Sequence, residues 1–268
     1  MHQQNSLPVF QVDAFTTSKA FSGNPAAVCL VEQPQDATWM QAVAAEMNLS
    51  ETAFVRSADD GFELRWFTPT IEVDLCGHAT LAAAHVLWAQ GVVEPGEIIS
   101  FQTLSGCLQA KQSAGWIELD FPAGPVASVE APEGLLPALG IDQASIYRNR
   151  LDYLVSVTTA AEVRDLAPDF SRLKTADMRG VIVTAPADDP AFDFVSRFFA
   201  PAAGIDEDPV TGSAHCALYP FWRERLNKPE MAAFQASNRG GLVKLQGQGT
   251  RVMLSGQAVT VMSGALHV

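Results

Sequence analysis

The sequence is poor in basic residues and has no long uninterrupted apolar run. Only 17 of its 268 residues are Lys or Arg, against 30 Asp or Glu, which leaves a formal net charge of −13. An acidic chain without a Lys/Arg cluster argues against nucleic-acid binding through the phosphate backbone and against docking on anionic membranes. The most apolar stretch, residues 75–93, contains His78, His85 and Gln90, so it predicts a buried helix and no membrane span.

Cysteine is also scarce. Cys29, Cys76, Cys107 and Cys216 lie far apart and form no CxxC pair, and the N-terminal residues lack the basic and apolar regions of an export signal. We therefore expect free thiols in a reduced, cytoplasmic protein. The sequence has no glycine-rich nucleotide motif, no His/Cys metal spacing and no Ser-His-Asp signature, so none of these predicts a nucleotide, metal or serine-hydrolase site.

The sequence does contain an internal duplication. RWFTP at residues 65–69 recurs about half a chain later as RFFAP at residues 197–201, and Gly-His-Ala at 77–79 recurs as Gly-Ser-Ala at 212–214. Phe-Gln at 101–102 likewise recurs at 234–235. Such self-similarity indicates two copies of one structural unit.

A stretch rich in proline and glycine separates the two copies. It runs from Pro122 to Pro137 and has the composition of a linker, so we place the boundary near residue 121. The predicted lobes are residues 1–120 and 121–268. A strand near residues 259–268 is expected to cross back and complete the first lobe.

Each copy combines short strand patterns with one helix that is apolar on almost every face. These helices are TLAAAHVLWA at residues 80–89 and the matching segment at residues 214–222. A helix that is apolar all round must be surrounded by protein, and a sheet wrapped around it is the simplest surround in a strand-rich unit. We therefore predict an α+β protein in which each lobe is a β-barrel around a central helix. Asp36 is expected to cap a more ordinary helix in the first copy.

The segments that lead into the two buried helices are acidic and contain glycine. Asp74 precedes Gly77, and Asp208 precedes Gly212. The aspartates could simply cap the helices. Alternatively, glycine lets a ligand approach the backbone, and two such helix starts facing one cleft would offer N–H donors to a carboxylate. The two loops together favour the ligand site.

Four segments carry a resemblance to a known family. They are VDAFTTSKAFSGNPAAV (12–28), NLSETAFV (48–55), RWFTPTIEVDLCGHATLAAAHVL (65–87) and DEDPVTGSAHCAL (206–218). The sequence resembles the PhzF family of phenazine biosynthesis-like isomerases, and the VDLCGHAT form is similar to its MAWD-binding-protein-like branch. The resemblance implies the duplicated, two-lobed diaminopimelate-epimerase-like fold. It also implies a cofactor-free acid/base isomerase with its site between the lobes.

The resemblance also implies roles for individual residues. Glu51 matches the general acid/base of the family, and His78 and Asp208 match its supporting polar groups. Without the family resemblance, the sequence alone favours interpreting Glu51 as a solvated loop carboxylate. Phe54 and Phe67 are expected to form apolar walls beside Glu51. Substrate binding is assigned to Asn24, Gly77, Gly212 and Ser213.

Cys76 leaves two other functions open. In related epimerases a cysteine precedes the glycine at each helix start, and Cys76 fits one such place, where the helix N-terminus would lower a thiol pKa. Thr211 holds the other place, and Cys216 lies a turn inside its helix and is expected to belong to the core. The isomerase is favoured over a cysteine-dependent amino-acid epimerase or racemase and over a non-catalytic binding protein. A small carboxylate substrate and a homodimer are expected from the family.

Overall fold

The chain forms two compact units. The computed structural model describes residues 6–17, 19, 21–175 and 178–267. One unit comprises Met1–Asp120 together with Ser255–Val268, and the other comprises Phe121–Leu254. No helix within the described residues is long and apolar enough to cross a membrane.

Both units consist mainly of short strands. In chain order the strands are β1 (Ser6–Ala14), β2 (Asn24–Leu30), β3 (Glu51–Ala58), β4 (Gly61–Phe67), β5 (Glu72–Val73), β6 (Ile99–Thr103), β7 (Gly106–Ser113), β8 (Trp116–Pro122), β9 (Ala127–Ser128), β10 (Ser145–Arg148), β11 (Asp152–Ser156), β12 (Gly180–Pro186), β13 (Phe194–Phe199), β14 (Glu230–Gln235), β15 (Gly241–Gln248), β16 (Arg251–Gly256) and β17 (Ala258–His267). The helices are α1 (Ala37–Met47), α2 (Gly77–Ala89), α3 (Leu135–Leu139), α4 (Ala160–Arg164), α5 (Phe170–Leu173) and α6 (Gly212–Leu226), with a short 3₁₀ turn at Pro201–Ala203.

The first unit is a mixed sheet around α2. Strand β1 pairs antiparallel with both β17 and β2. Strand β2 is parallel to β3, β3 is antiparallel to β4, and β4 is parallel to β6. Strands β6, β7 and β8 then follow as an antiparallel meander.

The helix α2 forms the centre of the first unit. It packs against β1, β2, β3, β7 and β17. Every residue from His78 to Trp88 except His85 is buried, which confirms the prediction of a helix surrounded by sheet. The helix starts at Gly77, three residues before the predicted apolar segment, because its first turn contains the glycine and histidine that interrupt the apolar pattern.

The second unit repeats this order of strands. Strand β11 is parallel to β12, β12 is antiparallel to β13, and β13 is parallel to β14, which is followed by antiparallel β15. Phe101 of β6 and Phe234 of β14 occupy the matching parallel strands of the two units. The helix α6 corresponds to α2 and is buried along most of its length. The repeated strand order confirms the duplication.

Two local predictions have different outcomes. Asp36 caps α1 as predicted, since its side chain accepts a hydrogen bond of 2.8 Å from the Trp39 N–H. The stretch from Pro122 to Pro137 is not a structureless linker, because it contributes β9 and the start of α3. Its leucine pattern explains the difference, since Leu135 and Leu139 are buried in the core of the second unit.

Candidate functional site

The predicted site residues of the first unit meet at the start of α2. Asn24 is the first residue of β2, and Glu51 is the first residue of β3. These strands run parallel, with Ala26 opposite Glu51, so their first residues lie near each other at one end of the sheet. Gly77 opens α2, and the second helical residue, His78, contacts both strand starts.

The His78 ring joins three polar side chains. Its Nε2 lies 3.0 Å from Glu51 Oε2, close enough for an ion pair, although the contact lacks the alignment of a regular hydrogen bond. Its Nδ1 lies 3.1 Å from Asn24 Nδ2 and 3.5 Å from Cys76 Sγ. The side chains of His78 and Glu51 are only 4% and 12% exposed. The cluster is therefore shielded from solvent, which strengthens the interaction between its charges.

Neighbouring side chains control the protonation of His78. Burial disfavours the imidazolium, but the Cys76 and Glu51 side chains outweigh burial and hold the pKa of His78 well above its usual value. The Glu51 carboxyl group therefore lies against an imidazole ring whose raised pKa favours the protonated form.

Cys76 does not have the low thiol pKa expected at a helix start. Burial is the main cause that raises the pKa of Cys76, and the nearby negative charge of Glu51 raises it further. His78 acts in the opposite direction but does not prevail. The prediction that the helix N-terminus activates this thiol is therefore wrong, because desolvation and the Glu51 charge both disfavour the thiolate.

The same three side chains offer possible metal ligands. Glu51, Cys76 and His78 place one ligand atom each within 4.8 Å of one another. Zinc accepts these ligand types, but it requires the cysteine as a thiolate. The raised thiol pKa of Cys76 and the use of His78 in the ion pair both oppose metal binding.

The start of α2 has no aspartate cap. Cys76 is the N-cap residue and makes no side-chain capping hydrogen bond. The Asp74 main-chain oxygen instead accepts a hydrogen bond of 2.7 Å from the Ser105 hydroxyl. The N–H groups of Gly77 and His78 find no acceptor among the described residues, and a buried helix start without partners is a place where ligands bind.

Phe54 and Phe67 do not wall the Glu51 carboxyl group. Both belong to the cluster that packs under α1, together with Met40 and Val43. Side chains alternate along a strand, so Glu51 and Phe54, three residues apart in β3, point to opposite faces. The expectation about these two aromatic residues is wrong for that reason.

In the second unit, Asp208 is locked into the loop that leads to α6. It is 8% exposed, and its carboxylate accepts a hydrogen bond of 2.6 Å from the Thr211 hydroxyl. The buried Gln235 side chain donates to the Asp208 main-chain oxygen at 2.7 Å and accepts from the Thr211 N–H at 2.9 Å. Sequence reasoning missed Gln235, although its repeat partner Gln102 marked the position.

Gly212 and Ser213 open α6, as the sequence predicted, and Thr211 caps the helix without a side-chain hydrogen bond. Ser213 Oγ accepts a hydrogen bond of 3.0 Å from Arg179 Nη2, and the same guanidinium is paired with Asp152. Arg179 directly precedes β12, the strand that corresponds to β3, so it lies near the counterpart of Glu51. No sequence pattern marked Asp152. The expectation that the two helix starts face one cleft stays a prediction.

Comparisons with known proteins place the whole chain in one family. The family model PhzC-PhzF, described as phenazine biosynthesis-like protein, matches residues 12–264. An uncharacterized isomerase of Halalkalibacterium halodurans is 52% identical over 262 residues, which cover 97% of this chain and 98% of the relative. The match therefore extends over both units.

Solved structures agree with the fold. A PhzF family phenazine biosynthesis protein of Enterococcus faecalis superposes with a TM-score of 0.93 at 40% identity, covering 98% of this chain and 100% of that one. A hydroxyproline epimerase of Agrobacterium vitis superposes with a TM-score of 0.66 at 11% identity, covering 99% of this chain and 94% of that one. The latter likeness concerns the fold alone. The fold is that of the diaminopimelate-epimerase-like proteins, as predicted.

Proposed function

Because the chain belongs to the PhzC-PhzF family of phenazine biosynthesis-like proteins, we propose that it is an isomerase that moves a proton by acid/base catalysis on a small carboxylate substrate. Glu51 is the proton carrier in this proposal, and the chemistry needs no cofactor. The single observation that carries it is the buried ion pair in which His78 Nε2 lies 3.0 Å from Glu51 Oε2.

The reaction needs one group that both removes and returns a proton. Glu51 as a carboxylate takes a proton from a carbon next to a carbonyl group or a conjugated ring, which leaves an enol-type anion. The resulting carboxylic acid then protonates a different carbon of the same conjugated system, so atoms and charge balance. A positioned carboxyl group of this kind contributes about 10²- to 10⁴-fold to the rate.

His78 supports both states of Glu51. Its imidazolium stabilises the carboxylate before proton transfer. When the Glu51 carboxyl group is protonated, the same positive charge can stabilise the anion that develops on the substrate. The Asn24 amide lies against the opposite ring nitrogen, with its Nδ2 3.1 Å from Nδ1. In the imidazolium Nδ1 is a donor, so the amide keeps the ring oriented toward Glu51 when it is flipped and accepts through Oδ1. His78 therefore combines charge stabilisation with positioning.

The carboxylate of the substrate is assigned to the helix starts. The N–H groups of Gly77 and His78 lie beside the Glu51–His78 pair, and a helix N-terminus carries about half a positive charge. Gly212 and Ser213 provide the corresponding donors in the second unit, and Asp208 keeps the loop before them in place through Thr211. These roles remain part of the proposal.

The thiol-based epimerase is less well supported. Two opposed thiols would be required, but Thr211 occupies the second place, and the Cys76 thiol has a raised pKa. A hydroxyl group such as that of Thr211 is far too weak an acid to share proton transfer with a thiol. Glu51 is the acid/base group that these observations favour.

Solvent deuterium uptake tests the proposal. Small cyclic and amino carboxylates are incubated with the protein in heavy water, and exchange at carbon is followed by NMR and mass spectrometry. We expect exchange accompanied by a double-bond shift, and a loss of about 10²-fold or more in Glu51→Gln. Glu63→Gln is the matched control, because Glu63 forms an exposed ion pair with Arg56 on the surface of the same unit.

Three outcomes would contradict the proposal. The first is that no compound in the panel exchanges with the unmodified protein. The second is that Glu51→Gln exchanges at the normal rate. The third is exchange at a stereocentre that disappears in Cys76→Ala and persists in Glu51→Gln, which would transfer the function to the epimerase.

A further inference from the structure

An arginine lies at the start of α6 in the second unit. Arg179 directly precedes β12, and its Nε donates a hydrogen bond of 2.9 Å to Asp152 Oδ1. Its Nη2 donates both to Asp152 Oδ2 and, at 3.0 Å, to the hydroxyl of Ser213, the second residue of α6. The guanidinium therefore joins the helix start to the start of β11.

The orientation of Arg179 is imposed by buried structure. Asp152 is the first residue of β11 and lies opposite Gly180 in the parallel pairing with β12. Its side chain is 1% exposed. At Gly180 a Cβ atom would lie 2.4 Å from the Phe198 ring, so only glycine lets that ring pack here. Phe198 in turn supports Arg179, whose Cζ lies 5.7 Å from the ring centroid.

The guanidinium of Arg179 keeps unused donors. Its Nη1 makes no hydrogen bond to any residue that the structure describes, and the side chain is 39% exposed. Arg197 shows the contrast, because it is 11% exposed and fully engaged. Its Nε and Nη2 bind Glu207, and its Nη1 donates to main-chain oxygens that include Leu166 O at 2.8 Å. Arg197 is a structural arginine, whereas the Nη1 group of Arg179 is unpaired within the part of the chain that the structure describes.

Ser213 extends this donor set. Its hydroxyl oxygen accepts the hydrogen bond from Arg179, so its own proton is free to be donated. The N–H groups of Gly212, Ser213 and Ala214 also have no acceptor among the described residues, since α6 lacks a side-chain cap. Charged and neutral donors thus lie together at one place.

The position of Arg179 at a helix start has a free-energy cost that its pairing with Asp152 offsets. A cation next to the positive end of a helix is repelled by the helix dipole. Keeping the Asp152 carboxyl group ionised also costs free energy, because burial raises its pKa despite the opposing effect of Arg179. Asp152, the buried partner of this ion pair, loses its hydration on folding, so the presence of the pair at a helix start calls for a further explanation.

We propose that Arg179, together with Ser213, is a specificity-determining residue that binds a carboxylate of the substrate at the start of α6. That this carboxylate belongs to the substrate rests on the proposed function, whereas the binding of a carboxylate at this place does not. Asp152 is the positioning residue, because it occupies the Nε edge and leaves Nη1 for the ligand. The Arg179–Asp152 pair is neutral overall, so a monoanionic planar carboxylate fits better than a dianionic phosphate.

Benzoate and inorganic phosphate are the probes for a direct test. Each is titrated into the full chain labelled with ¹⁵N, and the Arg179 side-chain signal and the amides of residues 212–214 are followed by NMR. We expect saturable shifts with benzoate and weaker binding of phosphate. Tighter binding of phosphate would overturn the assignment to carboxylates, and so would the absence of saturable benzoate binding.

Substitutions at Arg179 test where benzoate binds. Arg179→Met should weaken benzoate binding at least tenfold, since charge-assisted hydrogen bonds to an anion are lost. That change leaves Asp152 buried and unpaired, so the double variant Asp152→Asn with Arg179→Met keeps the test valid if the single variant fails to fold. Arg164→Met is the control, because Arg164 pairs with Asp188 on the exposed surface of the same unit. Equal losses in the control and in the Arg179 variants would indicate an adventitious anion only.

The proposed function and this inference can fail separately. Glu51→Gln should bind benzoate as well as the unmodified protein does while losing deuterium exchange. The Arg179 variants should raise KM at least tenfold and leave kcat much less changed. If Glu51→Gln keeps its activity while Arg179 still binds benzoate, the proposed function fails and the carboxylate site stands. If kcat falls in the Arg179 variants while KM is unchanged, the binding role of Arg179 is wrong.

Discussion

The starts of α2 and α6 occupy the same topological place in two copies of one unit and do different things with it. In each unit, two parallel strands begin next to the first turn of the buried helix. The first unit brings a carboxylate and an imidazole into contact there, while the second brings an arginine and a hydroxyl group together. The matching places hold Asn24, Glu51 and His78 in the first unit and Asp152, Arg179 and Ser213 in the second.

Under the two proposals, this difference gives the two copies separate tasks. A carboxylate beside an imidazolium is suited to accepting and returning a proton. A guanidinium fixed by a buried aspartate presents N–H donors that can hold an anion. In our proposals, the side chains at these matching positions serve proton transfer in the first unit and anion binding in the second.

A second pair of matching positions did not diverge. Arg65 forms a two-point ion pair with Glu72 in the first unit, and Arg197 forms the same pair with Glu207 in the second. Each guanidinium also stacks over a phenylalanine two residues later in its strand. These pairs fix the segment that leads to each buried helix, which explains why both copies retain them.

The largest expected effect is on the free energy of unfolding, when the more buried of these two ion pairs is removed. Arg197 and Glu207 are 11% and 19% exposed, whereas Arg65 and Glu72 are 31% and 24% exposed. Arg197→Met leaves a mostly buried carboxylate and several carbonyl groups unpaired, and should lower the free energy of unfolding by about 3–5 kcal/mol. Arg65→Met should cost about 1 kcal/mol. Urea denaturation measures both, and equal losses would show that burial does not distinguish the pairs.

The sequence predicted much of the scaffold, because duplication and burial leave periodic traces. The apolar pattern of α2 predicted a buried helix, and the recurrence of Phe101 at Phe234 predicted equivalent strands. The stretch from Pro122 to Pro137 was wrongly predicted to be a linker, because its proline and glycine content outweighed the leucines that build α3. Local composition is therefore a weaker guide to secondary structure than the pattern of apolar side chains that become buried.

The site was less predictable, because its contacts depend on strand register. Glu51 and His78 lie 27 positions apart in the sequence, and no spacing rule joins them; the family resemblance did. Asp152 meets Arg179 only because β11 and β12 pair in parallel with Asp152 opposite Gly180. The raised pKa of Cys76 likewise depends on burial and on the position of Glu51, neither of which a helix-start rule contains.

The two buried helices also carry histidines with opposite protonation behaviour. Burial lowers the pKa of His215 from 6.5 to about 4, so the neutral ring donates from Nδ1 to Thr211 O. Between these pH values the unfolded chain binds more protons than the folded chain. Stability should therefore fall as pH drops from 6.5 toward 4, by about 3 kcal/mol for this group. His78, whose pKa is raised, contributes stability at low pH that is lost as pH rises through its folded-state value.

Urea denaturation near pH 7 and near pH 4.5 separates these contributions. His215→Asn should remove a large part of the acid destabilisation while lowering stability at neutral pH. His267→Asn is the control, because His267 is exposed in β17 and its replacement should leave the acid sensitivity unchanged. Unchanged acid sensitivity in His215→Asn would show that carboxylates alone cause it.

Making the first helix start resemble the second should slow the proposed proton transfer. His78→Ser places the residue of the second unit in the first and removes the cation beside Glu51. Deuterium exchange should fall about 10²-fold, which corresponds to about 2.7 kcal/mol of transition-state stabilisation. Adding Glu51→Gln should cause little further loss, since the two groups act as one unit. Normal exchange in His78→Ser would show that Glu51 works without its partner and that the comparison overstates the role of the imidazole.

The smallest effect is expected at Cys76, which differs from its counterpart Thr211 without forming a second acid/base group. Its Sγ lies 3.5 Å from His78 Nδ1, so Cys76→Ala removes one contact that orients the ring, while the Asn24 contact remains. Exchange should fall less than tenfold.

The Cys76 thiol should also react slowly with an aromatic disulfide reagent, because the residue is 6% exposed and burial raises its pKa. Cys107 is exposed and serves as the internal control, since it should be labelled first in the folded protein. Rapid labelling of Cys76 together with loss of exchange in Cys76→Ala would assign the proton transfer to the thiol and would make the first helix start half of an epimerase site.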